Sequence, residues 1–371
     1  MKALILSSNT GEGHNACAKA LQEELMARGI PSDIRDGLGF LSKKASQFIS
    51  DWHVRLYRSL PKLYGEGYRY VERHVQPMDD DSAAFHLLAS GTRRLRACIT
   101  SQGYDIVVAT HLFPAMMLTQ IQREAPLPVR TAFIATDYTA SPGYESIRAD
   151  WIFIPDESLA DVFAKPDVPS ERVVASGIPV RGVFHERCDS ATAKRRLGIA
   201  PQRRHLLVMS GSMGCGPLKR VLKRLMVELD GSADVSVICG TNRKLSRQLN
   251  RLLGHREDVH IHEFVDHMDL FMDSADLCLT KPGGLSVSEA LAKRLPMVLL
   301  QAVDGCEPYN LRFCVDHGAA VTAQEPGEIA ALCRRLIDDE AALEDMRAHI
   351  EACWRKHPAK TVCDCLCTAE G

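Results

Sequence analysis

Hydrophobic residues in this chain fall into short continuous runs, each followed by a longer stretch in which apolar positions recur every three or four residues. The runs predict strands at Ala3–Leu6, Asp105–Ala109, Arg130–Ala135, Trp151–Ile154 and Arg172–Ala175. In the second half they predict strands at His205–Met209, Val235–Cys239, Val259–His262, Leu277–Thr280 and Met297–Leu300. Helical periodicity fills most of the gaps, as in Asn15–Ala27 and Leu218–Leu229. Apolar strands alternating with amphipathic helices are the signature of parallel sheets covered on both faces. The alternation occurs twice, with a break near Pro179–Arg187, so two Rossmann-like domains are expected, 1–180 and 181–371. A chain of 371 residues is also too long for one ordinary core.

Three loops of the second half share one character. After Asp276–Thr280 comes Lys281-Pro282-Gly283-Gly284-Leu285-Ser286, and a helix opens at once, with Glu289 about one turn inside it. Glycines let a ligand approach the main chain, and a helix start offers N–H groups and a positive dipole end to phosphate. A carboxylate at Glu289 suits sugar hydroxyls, so the corner reads as a nucleotide site; taken alone it also fits an ordinary strand–turn–helix corner. Gly211-Ser212-Met213-Gly214 follows the apolar run ending at Met209, and Gln301 to Asn310, with Cys306 and Glu307 between them, follows Met297–Leu300. Ligands gather at the carboxyl ends of strands in open α/β sheets, so the three loops are expected to converge.

Taken in chain order, the Gly211 loop, then Glu263-Phe264-Val265-Asp266, then the Lys281 loop, then the loop from Gln301 to Asn310, these motifs resemble glycosyltransferase family 28. Within it the chain is most similar to the branch of monogalactosyldiacylglycerol synthases and processive diacylglycerol glucosyltransferases. The first half agrees: Gly11-Glu12-Gly13-His14 matches that branch's entry loop. Thr110-His111, Thr136-Asp137-Tyr138 and Ser176-Gly177-Ile178-Pro179 follow in family order. The likeness runs from about residue 3 to about residue 335. It implies an α/β fold of the GT-B type, with two Rossmann-like domains whose parallel sheets face a central cleft. In related folds a carboxyl-terminal helix crosses back to the first domain. The chain departs from the family pattern at Ser141 and Tyr144, where His and Trp are usual, and at Cys306, where Gln is common.

The resemblance implies transfer of a hexose, from UDP-glucose or UDP-galactose, to the hydroxyl of diacylglycerol with inversion. Phe264 and Val265 match the uracil contact, Glu289 the ribose contact, and Glu307 and Asn310 the positions facing the transferred sugar. Main-chain N–H groups of Gly211 to Gly214 and of the Gly283-Gly284 turn would meet the diphosphate. His14 at the start of the first helix is the leading candidate for the base. Asp36 and Asp137, also at strand ends, are alternatives or partners, and His111 is a candidate acceptor contact. A UDP-N-acetylglucosamine-using transferase or 2-epimerase, or a non-catalytic nucleotide-sugar sensor at the membrane, would use the same scaffold.

Composition narrows the setting. Forty-five basic against 47 acidic residues leave a net charge of −2, with no bias toward nucleic acid. The opening Met1–Ser7 reads as a first strand rather than a signal peptide, and no run reaches the roughly 20 apolar residues of a membrane span. Thirteen cysteines without a C-x-x-C pair read as reduced thiols in the cytosol. No metal motif stands out: Asp79-Asp80-Asp81 lies in a polar linker, and Cys363, Cys365 and Cys367 have no His at ligand spacing. No cofactor is expected beyond the UDP-sugar co-substrate. Residues 42–74 break the rhythm, carrying seven basic against three acidic residues, a local net of +4, with six aromatics. Trp52, Arg55, Arg58 and Lys62 there suit an anionic membrane surface, although a helix packed on its own domain would look similar. The expectation is a cytoplasmic enzyme, peripheral on the inner face of the membrane.

Overall fold

The computed structural model describes residues 1–9, 11–42, 47, 66–67, 83–164, 168–211, 218–302, 305–354 and 357–368. All ten predicted strands are present, in two six-stranded parallel sheets. The first is ordered β2-β1-β3-β4-β5-β6, with β1 (Ala3–Ser7), β2 (Ser32–Asp36), β3 (Ile106–Ala109), β4 (Arg130–Ile134), β5 (Trp151–Ile154) and β6 (Val173–Ala175). Its main helices are α1 (Glu12–Ala27), α2 (Ala83–Gln102) and α3 (Leu112–Glu124). Both faces are dry because successive residues of each apolar run point to opposite sides. Leu4, Leu6, Val107, Ala109 and Phe133 meet Leu95, Ile99, Met117 and Ile121 of α2 and α3. Ala3, Ile5, Ile106, Val108 and Ile134 meet Cys17, Leu21 and Leu25 of α1 on the other side. Each buried aliphatic side chain is worth about 1.5–3 kcal/mol relative to exposure.

The second sheet is ordered β12-β11-β10-β7-β8-β9. It contains β7 (Arg204–Met209), β8 (Ala233–Ile238), β9 (Val259–His262), β10 (Leu277–Thr280), β11 (Met297–Leu299) and β12 (Ala320–Thr322). Around it lie α4 (Ser190–Arg196), α5 (Leu218–Leu229), α6 (Arg243–Leu253), α7 (Met268–Ser274), α8 (Gly284–Ala292), α9 (Glu307–Asp316), α10 (Pro326–Ile337) and α11 (Glu340–Cys353). Leu222, Leu225, Leu249, Leu253, Ile329 and Cys333 cover one face against Val208, Val235, Val237 and Leu279. Two further strands lie at sheet edges: β2, with Ile34 its one apolar residue and only partly buried, and β12, three residues long. An edge needs less apolar surface than a central strand.

The last helix, α12 (Pro358–Thr368), corrects the expected boundary of the second domain. Residues 355–371 count with the first unit, which holds 1–182, 304–306 and 355–371; the second holds 183–303 and 307–354. Val362, Cys363 and Leu366 of α12 enter the α1 side of the first sheet's core. Arg28 binds Asp364 at 2.7 Å, and Arg130 donates to the Leu366 carbonyl at 2.7 Å. Position along the chain does not reveal which core a terminal amphipathic helix will cover.

Each sheet has one place where strand order reverses. In the first, β1 and β3 are neighbours, Leu6 opposite Ala109, while the chain leaves them toward opposite edges. In the second, β7 and β10 play that part, with Met209 opposite Thr280. A crevice opens beyond the carboxyl ends of strands at such a point, because the flanking connections diverge.

Candidate functional site

His14 stands at the reversal of the first sheet. It is the third residue of α1, and its Nδ1 lies 2.8 Å from the carbonyl oxygen of Thr110, just past β3. A carbonyl oxygen only accepts, so Nδ1 carries the proton, and the basic lone pair of the neutral form is then on Nε2. Thr136 Oγ1 lies 3.0 Å from the same nitrogen, and Thr110 Oγ1 donates to the His14 carbonyl at 3.1 Å. Ser7 Oγ donates to Asn15 Oδ1 at 2.6 Å, pegging the first turn of α1 to the end of β1. His111 caps α3, its Nδ1 accepting the Phe113 N–H at 3.1 Å, which places its proton on Nε2. The two rings meet edge to face at 4.5 Å. Two neighbouring imidazoles thus hold opposite tautomers, one arranged to accept a proton and the other to donate a hydrogen bond.

Thr110 and Thr136, which orient His14, were not among the sequence candidates. Their signal was present, since each begins a Thr-His or Thr-Asp pair at a strand end. Ser8 Oγ, beside Ser7, is buried with no hydrogen-bond partner among the described residues. A side chain added at Gly11 would meet nothing within 4 Å, so the protein's own packing does not demand glycine there. Gly13 is the second residue of α1. Asp36 ends β2, and its Oδ1 accepts the Leu38 N–H at 3.1 Å as the cap of a short 3₁₀ turn. Asp137 is half-buried in the loop after β4. Trp52, Arg55, Arg58 and Lys62, and residues 42–74 generally, lie outside the described residues apart from Ser42, Gln47, Glu66 and Gly67.

At the reversal of the second sheet the three loops do converge, and Lys281 is where they cross. Its Nζ binds Glu307 Oε1 at 2.6 Å, both side chains largely shielded. Its stem lies over Gly211: a Cβ at that glycine would stand 2.4 Å from Lys281 Cε. Gly211 also has φ +68°, in the left-handed region that other residues enter at a cost. Asn310, wholly buried, donates to the Pro282 carbonyl at 3.0 Å. The first loop therefore supplies space, the second a cation, and the third a carboxylate and an amide.

The other candidates divide by setting. Gly283 precedes α8 and Gly284 is its first residue, so the loop's N–H groups sit at a helix start. Ser286 and Glu289 follow on α8, both half-buried. Phe264 is 68% exposed, and Val265 beside it is half-buried. Gln301 donates to the Ala323 carbonyl at 2.6 Å, a tie to the end of β12. Asn310, expected to face a sugar, is spent in part on holding Pro282 in place. Ser212, Met213 and Gly214 lie outside the described residues.

The departures from the family pattern also find places. Ser141 Oγ and Cys306 Sγ, both in the first unit, are 3.7 Å apart. Tyr144 is fully buried against Phe133 and Phe163, so this difference is one aromatic for another inside a core. Among the described residues no group of three His, Cys, Asp or Glu side chains could hold a metal ion.

Known proteins resemble the chain in both halves. Residues 14–180 match the family model of monogalactosyldiacylglycerol (MGDG) synthase, and residues 205–338 that of the glycosyltransferase family 28 C-terminal domain. A processive diacylglycerol beta-glucosyltransferase of Bacillus cereus (strain AH187) is 26% identical over 367 residues, spanning 98% of this chain and 93% of that protein. Among solved structures, Acinetobacter baumannii MurG superposes with a TM-score of 0.65 at 16% identity, covering 98% of this chain and 99% of its own. The UDP-GlcNAc 2-epimerase of Neisseria meningitidis reaches 0.60 at 13% identity, covering 99% of each. At such identities the structures speak to the fold alone.

Proposed function

Because the chain belongs to the glycosyltransferases those two models describe, MGDG-synthase-like in its first half and family 28 in its second, with the GT-B fold, we propose that it glycosylates diacylglycerol. The reaction moves a hexose, glucose or galactose, from UDP to the free hydroxyl of diacylglycerol, with inversion to a β-linkage. The observation that carries this reading is the tautomer of His14. With Nδ1–H held by the Thr110 carbonyl, Nε2 is the atom that can take a proton from an acceptor hydroxyl.

In the step proposed, the acceptor oxygen attacks the anomeric carbon while its proton passes to His14 Nε2. The bond from that carbon to the β-phosphate oxygen breaks, and UDP leaves with the electron pair. N–H groups at the start of α8 and the ammonium of Lys281 oppose the charge growing on the diphosphate. Glu307 fixes where that ammonium points. Glu289, within α8, takes the ribose hydroxyls, and the exposed Phe264 with Val265 takes the uracil. Fixed dipoles and a lysine replace a divalent cation in this scheme. No helix among the described residues is long and apolar enough to cross a membrane. The enzyme is proposed to work from the cytoplasmic face, peripherally.

The test is incubation with radiolabelled UDP-glucose or UDP-galactose and vesicles containing diacylglycerol. A labelled glycolipid is expected, with one donor preferred. An epimerised sugar nucleotide, or binding of donor without product, would replace this reading.

A further inference from the structure

We infer that the face of the second unit formed by α5 and α6 docks on an anionic lipid bilayer. β7, β8 and β9 are successive neighbours, and right-handed connections put α5 and α6 on the same side of the sheet. Their apolar flanks, Leu222 and Leu225 on one and Leu249 and Leu253 on the other, share a single core. The opposite flank of α5 exposes Lys219, Arg220, Lys223 and Arg224, and that of α6 exposes Arg243, Lys244, Arg247 and Arg251. The two helices hold eight basic residues and one acidic residue, Glu228, a net of +7 in a chain whose total is −2.

This field is not neutralised locally. Among the described residues only Arg243 of the eight has an acidic partner, Glu263 at 3.6 Å, and that pair is well exposed. Lys219 with Lys223, Arg220 with Arg224, Arg243 with Arg247, and Arg247 with Arg251 are like charges four apart, an arrangement that weakens a helix. Solvated helix faces ordinarily mix signs, so four such pairs on one side of the same sheet ask for an anionic counterpart. Its extent indicates which kind. A helix of this length runs roughly 18 Å, and the two helices cover successive strand pairs, β7–β8 and β8–β9, of one sheet, so the charges cover an area rather than a point. A single phosphate would engage two or three of them. A sheet of headgroups engages all, and Val227, 73% exposed in the α5 row, suits the headgroup boundary.

The choice of a bilayer over another polyanion rests on the reading of the acceptor as a membrane lipid. The test therefore uses vesicles without diacylglycerol and no donor, so that docking and transfer fail separately. The full chain would be sedimented with vesicles of phosphatidylglycerol and phosphatidylcholine, and with phosphatidylcholine alone. One variant combines Lys219→Gln, Arg220→Gln, Lys223→Gln and Arg224→Gln. A second combines Arg243→Gln, Lys244→Gln, Arg247→Gln and Arg251→Gln, with UDP titration as its check of folding. Each variant should lose about tenfold or more in affinity for the anionic vesicles, and salt should weaken binding of the parent. A loss below about threefold in both folded variants would overturn the inference. So would equal binding of the parent to phosphatidylcholine alone, or tighter binding to a duplex oligonucleotide at the same ionic strength.

Discussion

Lys281 Nζ and Glu307 Oε1 stand 2.6 Å apart, and this contact joins the loop after β10 to the start of α9. Removing one partner of a shielded ion pair typically costs about 3–5 kcal/mol. Glu307→Gln should lower the stability of the second unit toward the bottom of that range, since each side chain keeps some exposure. Lys281→Met combined with Glu307→Gln should recover part of the loss in a denaturant titration. If the double variant is as unstable as the sum of the singles, the pair does not couple the loops.

Gly211 and Gly283 make a matched comparison. Gly211→Ala must hold alanine at φ +68°, at roughly 1–2 kcal/mol, and must also displace the Lys281 stem. Gly283 has φ −74°, and the nearest atoms to an added Cβ are 3.9 Å away. Gly283→Ala should therefore be neutral or slightly stabilising, by up to about 1 kcal/mol. If it nevertheless raises the KM for UDP-sugar severalfold, the ligand itself comes close to that backbone. An unchanged KM would remove Gly283 from the donor site.

His14→Ala should cut turnover by roughly 10²–10⁴ while UDP affinity, read by calorimetry, stays near that of the parent. His111→Asn keeps a cap for α3 and should cost far less. Full turnover in the His14 variant would hand the role of base to Asp137 or Asp36.

His205 sets an acid limit on the second unit. It is buried between Ser236 Oγ at 2.9 Å and Ser274 Oγ at 3.0 Å, and burial pulls its pKa down to about 4. The unfolded chain, with a histidine near 6.5, then binds the proton first. This contribution is intact above about pH 6.5 and is lost progressively as pH falls toward 4, on the order of 3 kcal/mol in all. Denaturant midpoints measured from pH 7 to 4 should decline less in His205→Gln than in the parent. Parallel declines would place the acid sensitivity elsewhere.

Transfer activity should survive excess EDTA, since helix-start N–H groups and Lys281 are proposed to meet the diphosphate. Loss of activity that magnesium or manganese restores would reveal a cation requirement.

Sequence alone was enough for the ten strands with continuous apolar runs, the repeated α/β alternation and the glycine-bearing loops at strand ends. Those features are local: a buried parallel strand must be apolar along its length, and a turn that admits a ligand must carry glycine. The edge strand β2 escaped because partial burial leaves it a single apolar residue, Ile34. Tertiary structure decided what depends on residues far apart in the chain. It seated α12 on the core of the first sheet through Arg28 and Arg130, a pairing across more than 230 residues for Arg130 and Leu366. It turned the His14 ring with the carbonyl of Thr110, 96 positions away, and so chose the tautomer. It laid Lys281 across Gly211 and against Glu307, and it put two basic helix faces on the same side of one sheet. None of these follows from periodicity, because a tautomer, a crossing side chain and a shared surface are properties of neighbours that only folding brings together.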